Sequence, residues 1–260
     1  MKGKVYLVGA GPGDPELLTV KALRLLQNAE VVLHDDLVTP EILALIGSSA
    51  RVQNVGKRCG SRKMPQEEIN FLLVTLAESG LDVVRLKAGD PLIFGRAGEE
   101  MEALQRANVA YEIVPGVTSA LGAAAAAGIP LTHRGTSSAL VLRTGHRADE
   151  HSDEEWSDFA AGESTLVIYM PGHDYAALTP RLTDAGFAQE TTCAIVSRAT
   201  TPKQQIHYTT IANLSSCPTL AAPTLLIVGK ALKLSEHTNQ LMVDSHVTPR
   251  MSHREEERLA

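Results

Sequence analysis

Along the first 114 residues, short apolar runs alternate with longer stretches that are apolar on one side only, which predicts strands and helices in turn. Residues 5–8 read as a buried strand. Asp14 is then placed to cap a helix with Pro15 at its first position, and Leu18, Ala22, Leu25 and Ala29 give that helix an apolar face. Residues 31–33 form a second strand that ends at His34-Asp35-Asp36, and residues 51–55 a third. Pro65 opens a helix with Ile69, Leu72, Leu73, Leu76 and Ala77 on one face and Gly80 as its stop. A strand at 83–86, a helix at 99–106 and a strand at 111–114 complete a five-strand set. This rhythm predicts an α/β unit around a mostly parallel sheet.

Pro115-Gly116 reads as a boundary. An Ala-rich helix at 119–127 follows, then strands at 138–143, 166–170, 192–196, 206–209 and 225–228. The chain is therefore expected to hold an α/β domain over 1–114, a second over 115–235, and a polar tail over 236–260 that is a candidate for disorder. The charged stretch at 147–158 reads as a surface loop with a short helix, and no tandem repeat is evident.

Composition narrows the function. The 260 residues are 44 % hydrophobic, enough for real cores, and 4 % aromatic, too few for base-stacking platforms. A net charge of −6 argues against general binding to nucleic acid or an anionic membrane, and leaves room for a local basic site. No apolar run approaches the roughly 18–20 residues of a membrane span. The start is too short in apolar length for a secretory signal, so a cytoplasmic protein is expected. Cys59, Cys193 and Cys217 are odd in number and far apart, a spacing that implies neither a disulfide framework nor a zinc site.

Gly-Asp-Pro occurs twice at strand ends, at 13–15 and 89–91, and suggests a cleft lined from two sides. The first copy invites a dinucleotide reading, since Gly9 and Gly11 follow a strand and Asp35 sits where a ribose-binding acid would. Asp14 opposes it by standing at the third glycine, and Pro12 and Pro15 remove amides a pyrophosphate would use. Cations gather at Lys57, Arg58, Arg62 and Lys63, at Arg85, Lys87 and Arg96, and at His133, Arg134, Arg143, His146 and Arg147. Each cluster alone suits a solvated face. Together, beside glycine turns, they suit a ligand with several carboxylates, which arginine binds in a two-pronged fashion.

The segments VGAGPGDPELLTVKAL, VVLHDDLVTPE, VGKRCG, QEEIN, RLKAGDPLIFGRAGEE, VPGVTSALGAAAAAGIPLTHR, LRTGH and LVIYM occur in the order seen in tetrapyrrole methylases, which the chain resembles over about residues 3–232. The HDD and VGKR residues favour the branch that methylates uroporphyrinogen III. The resemblance implies two α/β domains with a ligand cleft between them, S-adenosylmethionine as cosubstrate, no metal, and a homodimer. The expected reaction is C-methylation of uroporphyrinogen III at C2 and C7, giving precorrin-2 through precorrin-1. No dehydrogenase or ferrochelatase stretch lies within the 260 residues, so a monofunctional methylase is expected.

By the same resemblance the donor contacts Pro12, Ala88, Gly89, Asp90, Ile93, Thr118, Ser119, Met170 and Ala199, while Asp35 and Lys57 are the proton acceptor and donor. A turn acid is the alternative for Asp35. Lys57 beside Arg58 equally suits a substrate carboxylate, the role we favour. Arg58, Arg96, Glu99 and Arg134 complete the expected substrate side, although Glu99 also suits a helix start. Departures from the family pattern fall at Ala88 and Ala199, where glycine is usual, and at Gly135, where aspartate is. Two other classes stay open: a nicotinamide-dependent oxidoreductase, and a non-catalytic tetrapyrrole or nucleotide sensor that Ala88 and Gly135 would fit.

Overall fold

The computed structural model describes residues 1–56, 64–145 and 162–233. Lys57, Arg58, Arg62, Lys63, His146, Arg147, the loop expected at 147–158 and the tail from 236 lie outside the described residues. No helix among those described is long and apolar enough to cross a membrane.

In chain order the first unit is β1 (Lys4–Gly9), α1 (Val20–Gln27), β2 (Val31–His34), α2 (Pro40–Leu43), β3 (Arg51–Asn54), α3 (Gln66–Glu78), β4 (Val83–Lys87), α4 (Ala97–Arg106) and β5 (Ala110–Val114). The strands form one sheet in the order β3-β2-β4-β1-β5, with every pair parallel. Helices cover both faces of the inner strands, so that β2 and β4 are buried along their whole length, while the edge strand β3 is largely exposed. Val5, Leu7, Val31, Leu33 and Val83 face α3 and α4 through Ile69, Leu73 and Leu104. Val8, Val32, Val84 and Leu86 face α1 and α2 through Ala22, Leu26 and Ile42.

The first helix differs from expectation. Asp14 caps only a 3-10 turn, Pro15–Leu17, by accepting from Glu16 N at 2.9 Å. Leu18 is extended, and Thr19 starts α1 afresh by accepting from Ala22 N at 3.1 Å. Two capping residues five apart divide the segment that periodicity alone joins.

The second unit comprises α5 (Ser119–Ala126), β6 (Ala139–Thr144), β7 (Ser164–Tyr169), α6 (Leu178–Asp184), β8 (Thr192–Ser197), β9 (Gln205–Thr210) and β10 (Thr224–Val228). Its sheet runs β6-β7-β10-β8-β9, with only β6 and β7 parallel. One sheet is thus wholly parallel and the other mixed, within the α/β class expected. Sequence reading placed no helix at α6; its Pro180 stands in the first turn, where a missing amide proton breaks no helical bond. On one face α6 packs Leu178 and Leu182 against Ile168, Ile195 and Leu226. On the other, Ala120, Ala123 and Ala124 of α5 lie on Val167, Val196 and Ile227.

The first sheet prepares a crevice. From the adjacent strands β1 and β4 the chain leaves towards opposite faces, into α1 on one and α4 on the other. In open α/β sheets ligands bind beyond the carboxyl ends of the strands at such a point. The core beneath it is tightly filled, with Leu73 fully buried between sheet and helices. Leu73→Ala should therefore lower unfolding free energy by about 2–5 kcal/mol, read as a fall in urea midpoint. An unchanged midpoint would mean that α3 does not carry this core.

Candidate active site at the strand ends

Three loops meet beyond β1, β4 and β5, the first two joined backbone to backbone and the third through the Asp90 carboxylate. Gly11 N donates to Gly89 O at 3.1 Å, Gly89 N donates to Gly11 O at 2.7 Å, and Ala10 N donates to Lys87 O at 2.7 Å. From the third loop Gly116 N donates to Asp90 Oδ2 at 3.1 Å, while Asp90 Oδ1 accepts from Leu92 N at 2.8 Å. A methyl group on Gly116 would lie 2.3 Å from Gly89 O, and one on Gly9 would lie 2.5 Å from Gly116 N. The two Gly-Asp-Pro turns are therefore not opposite walls of a cleft. Their loops are bonded to each other and form one rim.

This bonding consumes the amides an anion would need. Gly11, Gly89, Gly116 and Leu92 spend theirs as above, Glu16 donates to Asp14 Oδ1, and Asp14 N donates to Thr200 Oγ1 at 3.1 Å. The loop after β1 is consequently no phosphate nest, and the nicotinamide-dependent reading loses its structural basis.

The second unit holds the rim from the other side. A methyl group on Gly122 of α5 would come within 2.5 Å of Pro12 Cγ, and one on Gly13 within 2.8 Å of Thr201 Cγ2. Thr39 Oγ1 adds a bond to Gly13 O at 2.9 Å. Thr118, at the start of α5, shares a 2.5 Å hydrogen bond with Tyr169 Oη, which also accepts from Ala120 N at 3.1 Å. Tyr169 packs its ring on Phe94 at 4.9 Å between centroids and a 55° tilt. Burial pushes the Tyr169 hydroxyl above the usual phenol range.

The residues expected at the donor gather around this rim. A Cβ on Gly89 would stand 3.5 Å from Ser119 Oγ and 3.9 Å from Thr118 Cα. Ile93 N donates to Asp90 O at 3.2 Å, and the Ile93 side chain packs on the core that includes Tyr169 and Ala199. Met170, exposed and with φ +49°, follows Tyr169 directly. A groove of about 800 Å³ lies beside the rim, lined from both units by Pro12–Pro15, residues 36–41 and the stretch around Arg198–Lys203. Pro12 is its one lining residue from the expected donor set.

The departures from the family pattern are conformationally ordinary. Gly89, with φ +69°, needs glycine, whereas Ala88 and Ala199 have no positive φ. Gly135 takes φ +77° in the exposed turn after Arg134. That region suits glycine and, next to it, aspartate or asparagine.

The charged candidates fall into separate places. Arg96 and Glu99 hold each other at the exposed start of α4, at 2.7 and 2.8 Å, and the bonded arginine lowers the Glu99 carboxyl below its usual range. Arg134 is exposed on the turn before β6. Asp35, just past β2, keeps 30 % of its side chain exposed and accepts from Arg85 Nη2. Sequence reading counted Arg85 and Lys87, at the end of an expected strand, among the cations beside a glycine turn. They are inside β4 and buried, both bonded to the fully buried Glu100, which it did not single out. Burial, then the Arg85 charge, lowers the Lys87 ammonium. The signal was available in the spacing: cations two apart within an apolar strand share one face. No cluster of three or more metal-ligating side chains occurs among the described residues.

Two parallel-to-mixed α/β units closed over a glycine-tight rim define the class, and relatives narrow it. The chain belongs to the tetrapyrrole (corrin/porphyrin) methylase family, whose profile matches residues 4–215. It is 48 % identical over 237 residues to siroheme synthase of Azotobacter vinelandii, covering 90 % of this chain and 51 % of that one. It is also 48 % identical over 238 residues to uroporphyrinogen-III C-methyltransferase of Paracoccus denitrificans, covering 90 % and 83 %. The chain thus spans about half the length of the curated siroheme synthases it matches. Uroporphyrin-III C-methyltransferase of Thermus thermophilus, solved with S-adenosyl homocysteine, superposes with a TM-score of 0.78 at 39 % identity, covering 89 % of this chain and all of that one.

The rim makes a sharp contrast between glycines. Gly116→Ala must separate two backbones and should lower Tm by several degrees, for roughly 2 kcal/mol or more. Gly98→Ala, where nothing lies within 4 Å in α4, should leave Tm unchanged or raise it. Equal melting of both variants would refute the backbone junction.

Proposed function

We propose that the protein is an S-adenosylmethionine-dependent C-methyltransferase that methylates uroporphyrinogen III at C2 and C7, forming precorrin-2 through precorrin-1. The observation that carries this reading is the rim itself. It is a junction closed by glycines, in which the Gly11, Gly89 and Gly116 amides are spent within the protein, contributed by both units, in a chain close to the Paracoccus methyltransferase. A rim that offers carbonyls and the Asp90 carboxylate suits a cationic sulfonium better than a phosphate.

The donor site comprises Pro12, Ala88, Gly89, Asp90, Ile93, Thr118, Ser119, Met170 and Ala199. S-adenosylmethionine supplies a methyl group already activated by positive sulfur, so the chain's main task is alignment, which can account for several kcal/mol of the barrier. Gly89 and Gly116 permit close approach, and Tyr169 fixes Thr118 and the start of α5 beneath it. Once the ring carbon has taken the methyl group, a proton must leave the macrocycle. Asp35, partly exposed at the end of β2, is assigned as its acceptor. Lys57, Arg58, Arg96 and Arg134 are assigned to the substrate's carboxylates and Glu99 to its pyrrole N–H groups, with Lys57 also the family's candidate proton donor. The Arg96–Glu99 pair is exposed, so substrate can exchange that contact for its own at little cost.

We divide the two units at Pro115 and expect the active form to be a cytoplasmic homodimer, which sedimentation would test. Incubating the protein with S-adenosylmethionine and uroporphyrinogen III should yield a product heavier by two methyl groups; no mass gain refutes the activity. Asp35→Asn should lower kcat by about 10²- to 10⁴-fold with S-adenosylhomocysteine affinity unchanged. Full turnover across pH would remove Asp35 as the base.

A further inference from the structure

We propose that Arg85 is a positioning residue for Asp35, and that Glu100 holds it in that role. The proposal rests on the assignment of Asp35 as proton acceptor. Val83, Arg85 and Lys87 share one face of β4, which lies between β2 and β1. Across the sheet Arg85 pairs in register with Leu7 on one side and Leu33 on the other, both fully buried. An apolar side chain would continue that face without desolvating a charge. Replacing a buried ion pair by apolar groups is often neutral or stabilising, so cohesion alone gives no reason for a guanidinium here.

What the guanidinium can do, and leucine cannot, is reach the strand edge in a fixed plane. Its Nε donates to Glu100 Oε1 at 3.0 Å, Nη1 donates to Leu86 O at 3.3 Å, and Nη2 donates to Asp35 Oδ1. Glu100 Oε1 also accepts from Lys87 Nζ at 2.9 Å and Gln66 Nε2 at 3.3 Å. The anchoring carboxylate is fully buried, whereas Asp35 keeps 30 % of its side chain exposed. The network is thus dry at Glu100, Arg85 and Lys87, and its carboxylate that reaches solvent is Asp35. Among the described residues Arg85 engages only Oδ1 of Asp35, which orients the carboxylate and leaves Oδ2 for a ligand. His34 Nδ1 lies 3.0 Å from the Asp35 backbone carbonyl, and Asn54 Nδ2 donates to Asp36, so neighbouring groups fix the loop rather than this carboxylate.

A double-mutant cycle on methyl transfer separates positioning from structure. Arg85→Lys keeps the charge but loses the planar fork that spans both carboxylates. It should lower kcat at least about tenfold with KM for both substrates within about twofold, and in the Asp35→Asn background it should change kcat by less than about twofold. Glu100→Gln, nearly isosteric, should show the same dependence on Asp35 and serves if Arg85→Lys does not fold, as judged by melting and S-adenosylhomocysteine binding. Equal losses with and without Asp35 overturn the proposal. Full activity of Asp35→Asn alone overturns instead the assignment of the base.

Discussion

The site depends on how closely three backbones approach one another. Gly9 and Gly116 stand where any side chain would overlap an amide or a carbonyl of the next loop, and Gly89 is held at a φ of +69° that glycine favours. That contact turns the ends of β1, β4 and β5 into one rim and occupies the amides of Gly11, Gly89 and Gly116. Other contacts are fastened to it: the Asp90 carboxylate bridging to Gly116, the Pro12 ring against Gly122, and Asp14 reaching Thr200. A rim made of backbone holds its shape without large side chains, which leaves open space for a ligand and makes the crevice insensitive to rotamer changes.

Around that rim the charges are sorted by depth. Exposed pairs such as Arg96–Glu99 contribute little to stability and are free to exchange partners. The buried group of Arg85, Lys87 and Glu100 is different, because its ions have no water to return to and each depends on the others. One oxygen of Glu100 accepts three donors while Oε2 is buried without a partner. Such an arrangement is directional: it pulls both cations to one point and fixes the direction in which Arg85 extends.

Much of the fold was legible because strands buried on both faces, such as β2, β7, β8 and β10, leave apolar runs. All ten strands among the described residues lie within a few residues of the ranges expected from sequence. Strand direction in the second sheet was not legible, since an apolar run looks alike in parallel and antiparallel pairs. The split of the first helix at Leu18 and the presence of α6 despite Pro180 were set by caps and first-turn geometry, which periodicity does not see. At the site, quoted motifs located the rim, but only φ angles showed that glycine is required at 89 and not at 88. The spacing of Arg85 and Lys87 puts them on one strand face, and the register shows what that face meets, Leu7, Leu33 and Gly9.

Tyr169 gives the crevice one more property. Its hydroxyl belongs to a strand of the second sheet, yet it bonds the side chain of Thr118 and the first turn of α5, which abuts the rim of the first. Occupancy of the crevice and cohesion of the whole chain are therefore linked by mass action. A ligand that settles on Gly89 and Thr118 binds only when both sheets are in place, and at a hundred times its dissociation constant it adds about 2.7 kcal/mol to the folded state. The protein's resistance to heat is then a measure of how full its crevice is, and starvation for ligand would register as fragility of both sheets together.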